Sequence, residues 1–299
     1  MPLFSAKDKH AKQLHKVNFS SEKELQAFVE QNLEELFHIK FLATEYVTSS
    51  QHGGRIDSLG LDENGSPVII EYKWGENSAI INQGLFYLDW LVDHQGDFRL
   101  LVQHKIGKDI EVDFGAPRLL LIASSFTKYD TYAINRMAEN IELWSYSFFD
   151  QDIFELRLIA ESQATTNDKK QISKTQYKDY SLDRHLEDKS EELQELINSL
   201  RERILALETD TPIQEVPRKF YIAYKTAHNF VCVEPQKNQL KLHLALDPNK
   251  VDLDSKEIRV RNVIGVGHYG TGDLEVLIKN DSQIDEAMKL IKEAYENSI

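Results

Sequence analysis

Residues 53–74 read Gly53-Gly54-Arg55-Ile56-Asp57-Ser58-Leu59-Gly60-Leu61-Asp62-Glu63-Asn64-Gly65-Ser66-Pro67-Val68-Ile69-Ile70-Glu71-Tyr72-Lys73-Trp74. An Asn-Gly pair in a short polar run between two apolar segments predicts a β-hairpin. The first strand is RIDSLGL, the turn DENGS and the second strand PVIIEYKW. Pro67 opens the second strand, a position where a missing N–H is tolerated. Alternation puts Val68, Ile70, Tyr72 and Trp74 on one face, and Ile69, Glu71 and Lys73 on the other. Glu71 and Lys73 are then neighbours about 6.6 Å apart along the strand. Charges on a strand this apolar are costly unless they are paired or metal-bound. The hairpin can bring Asp57, 14 residues before Glu71, to its side.

Two carboxylates that close repel each other, which raises the pKa of one of them. A divalent cation removes the conflict, and hard oxygen ligands suit Mg²⁺. Such a cation lowers the pKa of a bound water and neutralises charge on a phosphodiester transition state. Lys73 is placed to orient or deprotonate that water, or to stabilise developing charge. The plainer reading is a structural salt-bridge cluster. It is disfavoured because buried ion pairs stabilise poorly compared with apolar packing.

Asp57 followed by Glu71-Tyr72-Lys73 resembles the D…ExK signature of the PD-(D/E)XK nuclease superfamily. Gly54-Arg55-Ile56-Asp57 resembles the G-R-x-D segment of NucS-like endonucleases. Gln83-Gly84-Leu85-Phe86-Tyr87 is similar to the Q-x-x-x-Y motif of RecB-like nucleases, and on a helix Gln83 and Tyr87 share a face. Glu22-Lys23-Glu24-Leu25 resembles the helical E-x-x-L that supplies an upstream acid. The likeness spans roughly residues 15–150, with Ile56 where the superfamily's name has proline. It implies a restriction-endonuclease-like mixed sheet flanked by helices. It also implies a metal-dependent endonuclease or exonuclease that hydrolyses DNA with a metal-activated water. On that resemblance Glu22, Asp57, Glu71, Lys73 and Gln83 are catalytic. Asp57 and Glu71 hold Mg²⁺ (or Mn²⁺), joined by Glu22, while Arg55 and Tyr87 contact the DNA. Glu22 fits E-x-x-L, and Glu24 fits the third helical position of a capping box begun by Ser21; both stand as the upstream acid, with Glu22 preferred. The alternative is a catalytically inactive nuclease-fold module that binds nucleic acid or a protein partner.

Outward from the hairpin, ELQAFVEQNLEELF (24–37) and SAIINQGLFYLDWLVDHQ (78–95) carry helical periodicity. PRLLLIASSF (117–126) is a strand buried on both faces, TKYDTYAINRMAEN (127–140) a helix and NIELWSYSFF (140–149) a strand. The succession predicts an α/β fold around a mixed sheet. Trp74, Phe86 and Trp90 are read as core rather than as a base-stacking platform. His10, His15, His38, His52, His94 and His104 show no metal-ligand spacing.

The expected organisation is a nuclease-like domain at 1–160, a polar linker with one amphipathic helix at 161–216, and a small α+β domain at 217–299. Residues 161–182 lack apolar periodicity. Leu193, Leu196, Ile197, Leu200, Ile204 and Leu207 then recur at helical spacing, so the helix at 191–207 is a candidate homodimer seam. It is barely two heptads long, which favours a packed connector helix. The last domain resembles a small domain of unknown function found behind such nuclease domains. Its Gly265-x-Gly267-x-x-Gly270-x-Gly272 run precedes a strand rather than a helix, and reads as a loop rather than a phosphate cradle.

Composition sets outer limits. The 299 residues are 41% hydrophobic and 28% charged, with a net charge of −14. Residues 1–160 carry 15 basic against 24 acidic side chains, and residues 217–299 carry 12 of each. A strongly basic nucleic-acid binder is not indicated, so contact with phosphates must rely on a local basic patch and bound cations. No apolar run approaches 18 residues and the N-terminus has no signal-type apolar core, so no membrane partner is expected. A single cysteine, Cys232, excludes an internal disulfide, and a cytoplasmic protein is the expectation.

Overall fold

The Asn64-Gly65 turn forms as its chemistry requires, and the rest of the first sheet assembles around it. In the computed structural model, residues 3–7, 10–48, 53–74, 79–108, 110–162, 181–207, 213–226, 228–253, 257–266 and 270–298 are described. The polar stretch at 163–180 and Gly267 of the glycine-rich run lie outside them. The chain divides into two units, Met1–Lys178 and Asp179–Ile299.

The first unit runs β1 (Phe4–Lys7), β2 (His10–Gln13), β3 (Lys16–Val17), α1 (Glu22–Gln31), α2 (Leu33–Phe37), β4 (Ile39–Val47), β5 (Arg55–Asp62), β6 (Pro67–Lys73), α3 (Ala79–Asp93), α4 (Gln95–Lys105), β7 (Arg118–Ala123), α5 (Lys128–Ile134), β8 (Asn140–Phe149) and β9 (Ile153–Glu161). β1 and β2 pair with each other, and the other seven strands form one mixed sheet. β4, β5 and β6 are antiparallel neighbours. β6, β7 and β8 are parallel, and β9 closes the far side antiparallel to β8. Asp62 organises the hairpin turn: its Oδ1 accepts from Asn64 N (2.9 Å) and Ser66 N (2.8 Å), while Gly65 takes φ +75°, which glycine adopts without a Cβ penalty.

Helices cover both faces. Leu59, Leu61, Ile69, Leu119 and Leu121 share one face and pack with Ile80, Ile81, Leu88 and Leu91 of α3. A Cβ on Gly84 would sit 2.6 Å from Leu119 Cδ2, so glycine lets α3 approach the sheet closely. The opposite face carries Ser58 and Tyr72, which meet α1 through Glu30. The helix expected over 24–37 breaks at Asn32, where φ −119° and ψ 16° leave the helical region and the side chain caps back to Phe28 O at 2.7 Å.

The second unit comprises α6 (Leu182–Leu186), α7 (Glu191–Leu205), β10 (Gln214–Pro217), β11 (Ile222–Lys225), β12 (Asn229–Pro235), β13 (Leu240–Leu244), β14 (Arg259–Asn262), β15 (Leu274–Ile278) and α8 (Ile284–Glu296). Its six strands form an antiparallel sheet in the order β10-β11-β12-β13-β15-β14. The apolar stripe of α7, read above as part of a connector, joins this unit's core. Leu193, Leu196, Ile197, Leu200 and Ile204 pack with Ile222, Tyr224, Val231, Leu242 and Val276, and with Ile284 and Ile291 of α8. The candidate homodimer seam is therefore already covered by the helix's own unit. Among the described residues, no helix is long and apolar enough to cross a membrane.

Candidate active site

The β5–β6 ladder ends at the Ser58–Ile70 pair. Beyond it, side chains take over the backbone bonds. Asp57 N–H donates to Glu71 Oε1 (3.1 Å), and Tyr72 N–H donates to Asp57 Oδ2 (3.1 Å). The two carboxylates thus hold the splayed strand ends, each through the other strand's main chain. Glu71 is fully buried, and Gln83 Nε2 on α3 donates to its Oε2 at 2.7 Å. Alternation puts Lys73 on the same face at the strand's end, where Nζ donates to Glu22 Oε1 at 3.1 Å. Glu22 Oε2 accepts from Trp74 N–H at 3.2 Å. Glu24 turns away: its carboxylate accepts from Ser20 N and Ser20 Oγ, and Ser21 Oγ accepts from its N–H. Of the two upstream acids, Glu22 is the one beside Lys73.

Burial, and after it the charge of Asp57, pushes the Glu71 carboxyl up to about 9. Burial also raises Asp57, opposed by the Tyr72 N–H and the Lys73 charge. At neutral pH Glu71 is therefore protonated in the metal-free protein, because two anions this close and this dry are not both sustained.

Arg55 is exposed, and its Nε lies 2.5 Å from Glu45 Oε2. Its backbone N–H donates to the Tyr87 hydroxyl at 3.2 Å. Tyr87 itself is buried; a Cβ on Gly54 would sit 2.5 Å from its ring, so the strand's approach needs glycine. Of this pair only the Arg55 guanidinium faces solvent. Two of the three aromatics read as core are not: Trp74 is 49% and Phe86 44% exposed, while Trp90 is buried. Trp74 stands where the strand leaves the sheet, and Phe86 on the α3 face away from it, which alternation alone does not reveal. Glu45 escaped the sequence reading because β4 carries no motif. Gln26 also escaped, although it follows Glu22 by one helical turn.

Among the described residues, no three or more His, Cys, Asp or Glu side chains are grouped to hold a metal. Both Glu22 oxygens are engaged by Lys73 and Trp74, which departs from the expectation that it joins a metal. Two adjacent carboxylates are still a fitting donor set for Mg²⁺, which binds through one or two carboxylates and keeps several waters.

Residues 182–298 match the family described as "Domain of unknown function (DUF5655)". Two solved structures are similar over part of the chain. One is an EndoMS–dsDNA2 complex, 21% identical with a TM-score of 0.31, covering 44% of this chain and 47% of that one. The other is a repair endonuclease from Pyrococcus abyssi, 20% identical with a TM-score of 0.28, covering 43% and 48%. The chain spans about half the length of these solved chains. An "Uncharacterized protein" of Haemophilus influenzae is 33% identical over 310 residues, which is 99% of this chain and 100% of its own length. With that identity from end to end, the chain belongs to the same family as this Haemophilus influenzae protein.

Proposed function

We propose that the first unit is a Mg²⁺- or Mn²⁺-dependent deoxyribonuclease that hydrolyses phosphodiester bonds. The observation that carries this reading is the fully buried Glu71 beside Asp57, with its carboxyl pushed up to about 9. Two apposed buried acids repel each other and lose their hydration, whereas a cation site needs them. Asp57 and Glu71 would hold the ion, and Gln83 fixes the outer oxygen of Glu71 from α3. When bound, the ion supplies charge neutralisation at the phosphoryl oxygens and a more acidic water. Lys73 presents its ammonium on the same face, to orient the attacking water or to stabilise charge at the reacting phosphate. Glu22 pairs with Lys73 and directs it along the strand's end. Arg55, solvent-facing at the start of β5, offers a phosphate contact.

The test is cleavage of single-stranded, linear duplex and mismatched DNA by the full chain, with Mg²⁺, Mn²⁺ or EDTA. The expected result is cation-dependent cleavage of at least one substrate, lost in Asp57→Asn. A parent protein that cuts none of them with either cation, yet binds DNA or a protein, is the inactive module instead.

A further inference from the structure

Glu22, Gln26 and Glu30 recur every four residues along α1 and make one polar stripe. All three reach the open end of the β5–β6 hairpin. Glu22 takes Lys73 and Trp74. Gln26, only 3% exposed, sets its Nε2 2.8 Å from the Asp57 carbonyl oxygen, 2.9 Å from Glu30 Oε1 and 3.1 Å from Thr44 Oγ1. Glu30 Oε1 in turn accepts from Ser58 Oγ at 2.6 Å, and Ser58 Oγ lies 3.2 Å from the Tyr72 hydroxyl. Ser58 and Tyr72 point to the α1 face, and Asp57 and Glu71 to the α3 face. Through Gln26 and Glu30 the stripe therefore holds β5 from behind the carboxylates, and through Glu22 it meets the end of β6.

We infer that Gln26 is a positioning residue for Asp57, anchored by Glu30, and that this stripe sets the spacing of the two carboxylates. The inference rests on reading Asp57 and Glu71 as metal ligands. Because the ladder stops at Ser58, the Asp57 peptide takes its bonds from side chains. Its N–H goes to Glu71 and its carbonyl to Gln26. A part-buried carbonyl left without a donor costs free energy, so loss of Gln26 drives the Asp57 peptide to rotate toward another donor. That rotation carries the Asp57 side chain away from Glu71.

The test uses the full chain with Gln26→Met, which matches the length but cannot donate, and Gln26→Lys, which keeps a donor among the three acceptors. Gln26→Asn, one methylene short, serves the same comparison should Gln26→Met not fold. Two readouts are taken: Mn²⁺ affinity by calorimetry, and hydrogen exchange of the metal-free protein at the Asp57, Ser58 and Leu120 amides. Gln26→Met is expected to weaken Mn²⁺ binding at least tenfold and to speed exchange at Asp57 and Ser58 at least tenfold, with Leu120 unchanged. Gln26→Lys is expected to stay within threefold of the parent in both. A folded Gln26→Met with parental exchange at Asp57 and Ser58 overturns the inference, as does equal acceleration at Leu120, which marks a general loss of stability. If the parent binds no Mn²⁺, the metal reading fails by itself and the exchange readout still decides the role of Gln26.

Discussion

At the turn end of β5 and β6, Arg118 lies buried between Asp62 (3.3 Å) and Glu142 (2.8 Å). Trp144 Nε1 adds a bond to Glu142 at 2.9 Å. Burial works against the guanidinium's charge, but Glu142 and Asp62 outweigh it and push its pKa up. At the other end of the same strands, Asp57 and Glu71 are brought together with no cation buried between them. Lys73 stands at the margin and is shared with Glu22. At one end two acids share a buried guanidinium; at the other the two acids share none. A buried charge that is satisfied reads as architecture, and one that is not reads as a place for something else.

The largest expected effect separates the two ends by activity. Lys73→Ala should lower cleavage by about 10²–10⁴-fold, the range for a positioned proton-transfer group, with little change in melting temperature. A Lys73→Ala protein that cuts at the parental rate would remove this lysine from the mechanism. Next comes stability. Arg118→Met strands two buried carboxylates and should cost about 3–5 kcal/mol in urea unfolding. Glu71→Gln replaces an already protonated acid with its near-isostere and should cost less than about 1 kcal/mol. Equal losses would mean that both ends are structural.

A third effect is set by pH. The Glu71 carboxyl is raised from 4.5 to about 9 on folding. The folded state therefore holds a proton that the unfolded state releases, and this group's stabilisation fades as pH rises from 4.5 toward 9. Cation binding must expel the same proton, so Mn²⁺ affinity should climb up to about tenfold per pH unit over that window. Calorimetry in buffers of different ionisation enthalpy would count the proton, and a flat profile would mean that Glu71 is not a ligand. The smallest effect is Arg55→Ala. The side chain is exposed and, among the described residues, pairs with Glu45, so stability should change by less than about 1 kcal/mol. The salt slope of DNA binding should fall by about one unit if Arg55 meets a phosphate.

The hairpin and its acidic pair were legible because both are local. Asn64-Gly65 marks the turn, and period-2 alternation puts Glu71 and Lys73 on one face. β4 and β9 are not legible in the sequence, because edge strands mix exposed and buried residues without clean alternation, as β4 does. The Arg118 triad hid inside what reads as an apolar run, and its partners come from two other strands. Gln26 was invisible because its partner is a backbone carbonyl, which no motif records. The α7 stripe is legible in the sequence, but a stripe does not say what covers it; the packing against β11–β13 and α8 does.

The sequence distances at the site bear on how it is built in time. Asp57 and Glu71 are 14 residues apart and joined by a single tight turn, whereas Lys73 and Glu22 are 51 apart. A hairpin closes in about 1–10 μs, while the parallel pairing of β6 with β7 must wait for the crossover through α3 and α4. Both acids can therefore meet before the sheet around them exists. Water still reaches them at that stage, and their repulsion is weak. The conflict sharpens only as later elements dry the pair. Substitutions in the Asp62 turn should accordingly slow folding, while Glu71→Gln should act mainly on the unfolding rate.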